Sequence, residues 1–195
     1  MRGPNVPLLV LLTAVGSASI AFLEPILPLH LSGLGLGGTA IGLVWRGEAL
    51  IGILTAPLAG ICADKLGPGR TAAIGALIAA VGFLLSGMGS TPVSIAGVIV
   101  VGLGAQLVLA PTLVMISVLA EHTKPTAYGA AFALYNLAYT TGLAIAPLGA
   151  GVVARLADVP TATIAAAVVS AVLAAVTFSR KVTDRKRADA AADKA

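Results

Sequence analysis

The feature that most constrains this chain is a series of long apolar segments separated by short loops. The chain has 195 residues and is 58% hydrophobic and only 10% charged, whereas soluble domains are about 25% charged. A helix needs roughly 20 apolar residues to cross a bilayer core. We therefore predict an all-α membrane protein with six transmembrane helices in residues 1–179 and a basic cytoplasmic tail at 180–195. The predicted spans are about 6–31, 40–62, 71–90, 93–119, 126–153 and 161–179.

The basic residues outside the spans lie almost entirely on one side of the predicted bundle. Cytoplasmic loops collect Lys and Arg, so both termini are predicted to be cytoplasmic, in the cell membrane. The net charge of +4 comes largely from the tail beside the last span. The tail either lies on anionic lipid or is a solvated, disordered end, and we exclude nucleic acid as a partner. Arg155 alone lies on the other side, against Arg2, Lys65, Arg70, Lys124, Arg180, Lys181, Arg185, Lys186, Arg187 and Lys194.

Three charged residues lie well inside predicted spans: Glu24, Arg46 and Glu48. Ionisable groups inside a membrane are costly and are functional candidates, so Glu24 is the predicted proton-coupling residue. Glu24 and Arg46 are each eleven residues from Gly35 in the first outer loop, so we expect them to pair at similar depth. Such a pair has either an ion-pair or gating role, or it only fixes helix orientation. Glu48 is two residues from Arg46 and should face elsewhere, toward a cavity or a partner.

Uncharged polar side chains near the middles of spans four and five are predicted to line a substrate path or to bond between helices. They are Gln106, Tyr135, Asn136 and Tyr139. Prolines inside spans either bend the helices or break them beside a substrate path. No residues have metal-site or nucleophile spacing, so we predict no metal, no cofactor and no enzymatic activity.

The loop between spans two and three reads Gly60-Ile-Cys-Ala-Asp64-Lys65-Leu-Gly67-Pro-Gly-Arg70. It resembles the cytoplasmic loop motif of the major facilitator superfamily, Gly-x-x-x-Asp-Arg/Lys-x-Gly-Arg, with two extra residues before Arg70. The resemblance implies that Gly60, Asp64, Lys65, Gly67 and Arg70 bias a conformational switch. Asp64 is expected to cap the next helix or to meet a basic residue.

Two further segments resemble drug/proton antiporters of the vesicular monoamine transporter type. Ala21 to Pro28, with Ala-Phe-Leu-Glu-Pro, is similar to their seventh helix, and Tyr128 to Gly151 is similar to their eleventh. The resemblance covers nearly the whole chain but only the C-terminal half of such a transporter. It assigns Glu24 to the family glutamate, while Asn136 stands where those carriers have an aspartate. It implies helix-packing roles for Gly142, Pro147, Gly149 and Gly151.

The resemblance implies one six-helix half-bundle of a major facilitator fold. The function predicted from it is proton-coupled transport of a small organic solute, in the direction of efflux. Because a lone half exposes polar groups to lipid, we expect a second half-transporter or a second copy of the chain as partner. The alternative is a non-transporting or vestigial membrane subunit that pairs with another membrane protein. An intramembrane enzyme is disfavoured because no catalytic constellation is present.

Overall fold

The computed structural model describes residues 6–122 and 126–192, with side chains described for 6–121 and 126–179. All regular elements in this part of the chain are helices, which confirms the all-α prediction. Arg2, Lys124 and all side chains of the predicted tail 180–195 lie outside the described residues. The helices are α1 (Val6–Ala21), α2 (Leu27–Gly33), α3 (Gly38–Leu66), α4 (Pro68–Ser86), α5 (Thr91–His122), α6 (Tyr128–Leu156) and α7 (Val159–Ala192).

Five of the described helices are long and apolar enough to cross a membrane, namely α3 to α7. The first predicted span, residues 6–31, is divided into two helices. α1 has 16 residues, and α2 adds 7 more after a turn at Phe22–Ile26. Pro25 lacks an amide hydrogen and cannot extend the α1 hydrogen-bond ladder. The amide of Glu24 instead bonds to the Ala21 carbonyl at 3.3 Å, so the predicted span 6–31 contains a helix break at Glu24.

α4 and α5 pack closely against each other through glycines. A Cβ at Gly75 would lie 2.7 Å from the carbonyl oxygen of Gly104, and a Cβ at Gly97 would lie 2.7 Å from that of Gly82. These two pairs show that the helices run antiparallel with their backbones in direct contact. Small residues permit such close approach in lipid, where van der Waals packing is a main source of helix association.

The largest buried cluster lies where α2 and the turn before it meet α3, α4, α5, α6 and α7, and Phe83 of α4 is buried within it. Phe22, in the turn after α1, packs edge-to-face on Phe83 with ring centroids 5.6 Å apart. At the same end of the bundle, His30 of α2 bonds to the Met88 carbonyl at 3.0 Å. The turn that carries Glu24 is therefore fixed on both sides by packing and by hydrogen bonding.

α3 and α6 are the long helices that this chain covers least. The most apolar stretch of each is only 22% buried, against 56% for α4. Their uncovered sides carry Leu50 and Ile53 on α3 and Leu137 and Leu148 on α6. Lipid can cover such apolar side chains, but polar side chains on these helices need another partner.

Candidate functional site

Glu48 of α3 lies directly against the backbone of α5 at Gly102. A Cβ on Gly102 would lie 2.8 Å from Oε1 of Glu48, 3.0 Å from its Cγ and 3.2 Å from its Cδ. The carboxylate therefore occupies the space that a side chain at position 102 would need. Glycine is the residue that permits this position, and the contact places a half-buried acid at a helix–helix boundary.

One turn further along, the arrangement is repeated with the roles of the helices exchanged. Gln106 of α5 lies against Gly52 of α3, where a Cβ would be 3.3 Å from Nε2 of Gln106. Residues 48 and 52 are one turn apart, as are 102 and 106, so the two helices run in the same direction and in register. Each helix thus supplies one glycine and one polar side chain to the contact, which we call the α3–α5 seam.

A cavity of about 400 Å³ opens at this seam. Its two strongly polar side chains are those of Glu48 and Gln106, and Ile20 from the last turn of α1 closes one side. The lining residues are Ile20, Glu48, Ala49, Gly52, Ile53, Ala56 and Gln106. An apolar enclosure with few polar groups is the usual composition of a small-molecule site.

Glu24 is exposed in the turn after α1, within range of electrostatic interaction with Glu48. Arg46 is exposed on α3, and no ion pair joins it to Glu24 in the described part of the chain. The expected pairing rested on a continuous first helix, and the break at Phe22–Ile26 removes that premise. The described charged group with which Glu24 interacts electrostatically is instead the Glu48 carboxylate. Arg46 and Glu48 likewise form no ion pair among the described residues.

The polar residues of α6 form a separate group. The rings of Tyr135 and Tyr139 stack with centroids 6.1 Å apart and planes 18° from parallel. Tyr135 interacts with the side chain of Thr112 on α5, while Asn136 is exposed. None of the three α6 residues lines the cavity at Glu48. The structure therefore places Gln106 with Glu48 and leaves the α6 group at another face.

A family model of the major facilitator superfamily matches residues 9–195. The chain belongs to the major facilitator superfamily. No curated protein matches it. Facilitators carry small solutes across membranes, and with its apolar helices this one is an integral membrane protein of solute transport. The family is generally non-enzymatic, in line with the prediction from the sequence.

The motif loop of this facilitator is built around Gly67, whose φ of 86° is a conformation that side chains rarely adopt. α4 begins immediately after Gly67, and no side chain caps its first turn. The expected cap by Asp64 is therefore absent, because Asp64 lies in the last turn of α3. Asp64, Lys65 and Arg70 are all exposed at this loop. The side chains assigned to the switch are accessible to another part of a transporter.

The glycines of α6 in this facilitator have different surroundings. A Cβ on Gly142 would collide with the Ala14 carbonyl and the Ser17 hydroxyl of α1, so α1 and α6 touch there. Gly149 and Gly151 have no neighbour within 4 Å of an added Cβ. Pro147 lies within the uninterrupted helix α6. Close packing of α6 in the described residues thus involves Gly142 rather than the later glycines.

A second cavity, also of about 400 Å³, lies between α1, α6 and α7 of the facilitator. Its walls are almost wholly apolar and include Phe22, Phe83 and Ile145. Sequence reasoning did not identify it. The small residues Ala14 and Ala18 on α1, one turn apart, were the available signal that space is left between these helices.

Proposed function

We propose that this facilitator is a proton-coupled secondary transporter that exports a small organic solute. The observation that carries the proposal is the α3–α5 seam, where Glu48 and Gln106 line a mainly apolar cavity and the carboxylate of Glu24 acts electrostatically on that of Glu48. Carboxylates in an apolar environment can exchange protons, and like charges in proximity favour binding of a proton or cation. Alternating exposure of such a site would couple proton entry to solute exit.

A second half-bundle completes the proposed carrier, either as a second copy or as a separate half-transporter. Glu24, Arg46 and Asn136 are exposed on the surface of this chain. Hydrocarbon would leave these groups without hydrogen-bond partners at a cost of several kcal/mol each. A protein partner or a water-filled path between two halves would satisfy them. We place the assembly in the cell membrane with both termini cytoplasmic, on the distribution of Lys and Arg.

The proposed proton role of Glu24 is tested in everted membrane vesicles. Uptake of radiolabelled organic solutes is measured after a pH gradient, with the vesicle interior acidic, is imposed. We expect gradient-dependent uptake by the natural chain, none by Glu24→Gln, and equal amounts of both in the membrane. Gradient-dependent uptake by Glu24→Gln at the natural rate would refute the proton role.

The same exposed polar groups favour a second candidate, a non-transporting subunit that pairs with another membrane protein. Arg46 on the least covered helix provides a charge for such a contact. The two candidates differ in one result. A subunit would co-purify with its partner and show no gradient-dependent uptake in vesicles, whereas a carrier would show uptake.

A further inference from the structure

We infer that the second cavity, between α1, α6 and α7, is a binding site for an uncharged and mainly apolar organic molecule that carries one hydrogen-bonding oxygen. The molecule enters from the surrounding lipid, and Ser170 on α7 bonds to its oxygen. No residue lines both this cavity and the one at the α3–α5 seam. The site is therefore separate from the proposed path of protons and solute, and it does not depend on the proposed function.

The hydroxyl of Ser170 is deeply buried and has no partner among the described residues. Ser170 is only 2% exposed, and in the part of the chain whose side chains are described its hydroxyl makes no hydrogen bond. Serine and threonine inside a helix often bond to the carbonyl one turn earlier. Thr177, on the same helix, does so to the Leu173 carbonyl at 2.7 Å. Ser170 departs from this pattern, so its hydroxyl is available to another molecule.

The oxygen of Ser170 faces the cavity. Every fully enclosed side-chain oxygen in the described part of the chain has a hydrogen-bond partner, so the unpartnered oxygen of Ser170 is not fully enclosed. The rest of the residue is covered by its neighbours, and the open space that Ser170 lines is the cavity. A hydroxyl without a hydrogen bond in an apolar environment costs free energy, which a ligand with a suitable oxygen would recover.

The depth of Ser170 limits what its partner can be. Ser170 lies near the middle of the span Val159–Ser179, about 15 Å along the helix from either end. A phospholipid keeps its polar atoms at the surface of the bilayer, so its acyl chain would leave the hydroxyl unbonded. A charged ligand is disfavoured, since none of the described residues that line the cavity is charged and an unpaired charge in an apolar site is costly. The partner is therefore an oxygen of an uncharged molecule dissolved in the bilayer.

The cavity has room for such a molecule and opens between α6 and α7. Its volume of about 400 Å³ is typical of small-molecule sites. Ile145 on α6 and Val169 on α7 line it and are 62% and 55% exposed, so its mouth faces outward between these two helices. Gly149, also in the lining, has nothing within 4 Å of an added Cβ and leaves the mouth open. The buried ring of Phe83 forms part of the inner wall.

The test is photolabelling of the purified full-length chain in phospholipid nanodiscs. The probe is 3-azioctanol, an uncharged alcohol with a photoreactive diazirine, and the competitors are 1-octanol and octane. We expect saturable labelling of α6 and α7 that 1-octanol prevents at bilayer concentrations about two- to tenfold lower than octane, because only the alcohol bonds to Ser170. Ser170→Ala should remove this preference. Ser179→Ala, the same change at an exposed position of the same helix, should retain it.

A second pair of variants tests the position of the site and leaves the hydroxyl unchanged. Gly149 lines the cavity and Gly151 does not, and neither has a neighbour within 4 Å of an added Cβ. Leucine is a good helix former, so both positions should accept it in a folded protein. We expect Gly149→Leu to abolish saturable labelling by filling the mouth of the cavity, and Gly151→Leu to label as the natural chain does.

Labelling that does not saturate, or that spreads evenly over the lipid-facing helices, would overturn the inference. Saturable labelling that octane and 1-octanol prevent equally, with no effect of Ser170→Ala, would show that an acyl chain occupies the cavity and would overturn the assigned class of ligand. Unchanged labelling of Gly149→Leu would place the probe elsewhere. Labelling requires no transport, so these results stand whether or not the chain proves to be a carrier.

Discussion

Two glycines of α5, Gly102 and Gly104, should differ in how far the same substitution destabilises the protein. At Gly104 an added Cβ would lie 2.7 Å from the Gly75 carbonyl oxygen and 2.8 Å from Cα of Ala79, both in the backbone of α4. Ordinary contact begins at 3.4 Å, so α4 and α5 must separate by about 0.7 Å or more. At Gly102 the added Cβ would meet only the side chain of Glu48, which can rotate away.

These contacts determine how much each substitution should change the free energy of unfolding. Overpacking costs about 1–3 kcal/mol, and replacement of a helix glycine by alanine returns about 0.5–1 kcal/mol. We therefore expect Gly104→Ala to lower the free energy of unfolding by about 1–2 kcal/mol, because its contacts are with backbone atoms that cannot rotate away. For Gly102→Ala, a side-chain rotation of about 0.5–1.5 kcal/mol is offset by the same gain. Its stability should stay within about 1 kcal/mol of the natural value.

The assay follows thermal unfolding with a thiol-reactive fluorogenic dye at Cys62, the only cysteine. The Cys62 side chain is half-buried, so unfolding increases its reactivity. A domain of this size changes its midpoint by roughly 2–4 °C per kcal/mol, so Gly104→Ala should unfold about 2–8 °C lower. An unchanged midpoint for Gly104→Ala, or an equal loss in Gly102→Ala, would refute the assigned contacts.

Three further predictions concern other parts of the bundle. Gly142→Ala should lower the unfolding midpoint because the added Cβ collides with α1, whereas Gly151→Ala should not, since nothing lies within 4 Å of its Cβ. Thermal unfolding of the two variants checks this prediction, and equal midpoints would contradict it. Gly67→Ala should lower the free energy of unfolding by about 1–3 kcal/mol because alanine is strained at a φ of 86°. The same thermal assay measures it, and a variant as stable as the natural chain would refute the predicted strain. The third concerns Asp158, which accepts a hydrogen bond from the Thr161 amide at 2.7 Å; bonding to Thr161 lowers the carboxyl pKa below its ordinary 3.8. The stabilising contribution of the Asp158 carboxylate is therefore present above pH 3.8 and lost as the pH falls through the lower folded-state pKa. Asp158→Asn should make the unfolding midpoint depend less on pH in that range. An unaltered dependence of the midpoint on pH would contradict a stabilising hydrogen bond between Asp158 and Thr161.

Much of the fold could be predicted from the lengths of the apolar segments alone. Long runs of apolar residues require helices in lipid, and the structure has helices over each predicted span. Pro25 indicated a possible break beside Glu24, which the structure contains. The predicted pairing of Glu24 with Arg46 failed, because depth was counted along an unbroken helix. A single proline changed the geometry on which that argument depended.

The site was only partly predictable. Glu48 and Gln106 were both identified as polar residues within spans, but their meeting depends on the register of α3 against α5. Sequence does not give the register between two helices that are far apart in the chain. The available signal was a mirrored spacing: Glu48 precedes Gly52 by one turn, and Gly102 precedes Gln106 by one turn. Such spacings are common in glycine-rich helices, so only the structure shows that these four residues meet.

The most direct test of the proposed carrier is solute-driven proton movement in proteoliposomes of the purified chain, recorded with an internal pH dye. We expect that an organic solute taken up by the natural chain in everted vesicles, when added outside, changes the internal pH of the proteoliposomes beyond the change in liposomes without protein. We expect no such protein-dependent change with Glu24→Gln. A natural chain that moves the solute with no associated proton flux would contradict the proposed proton coupling.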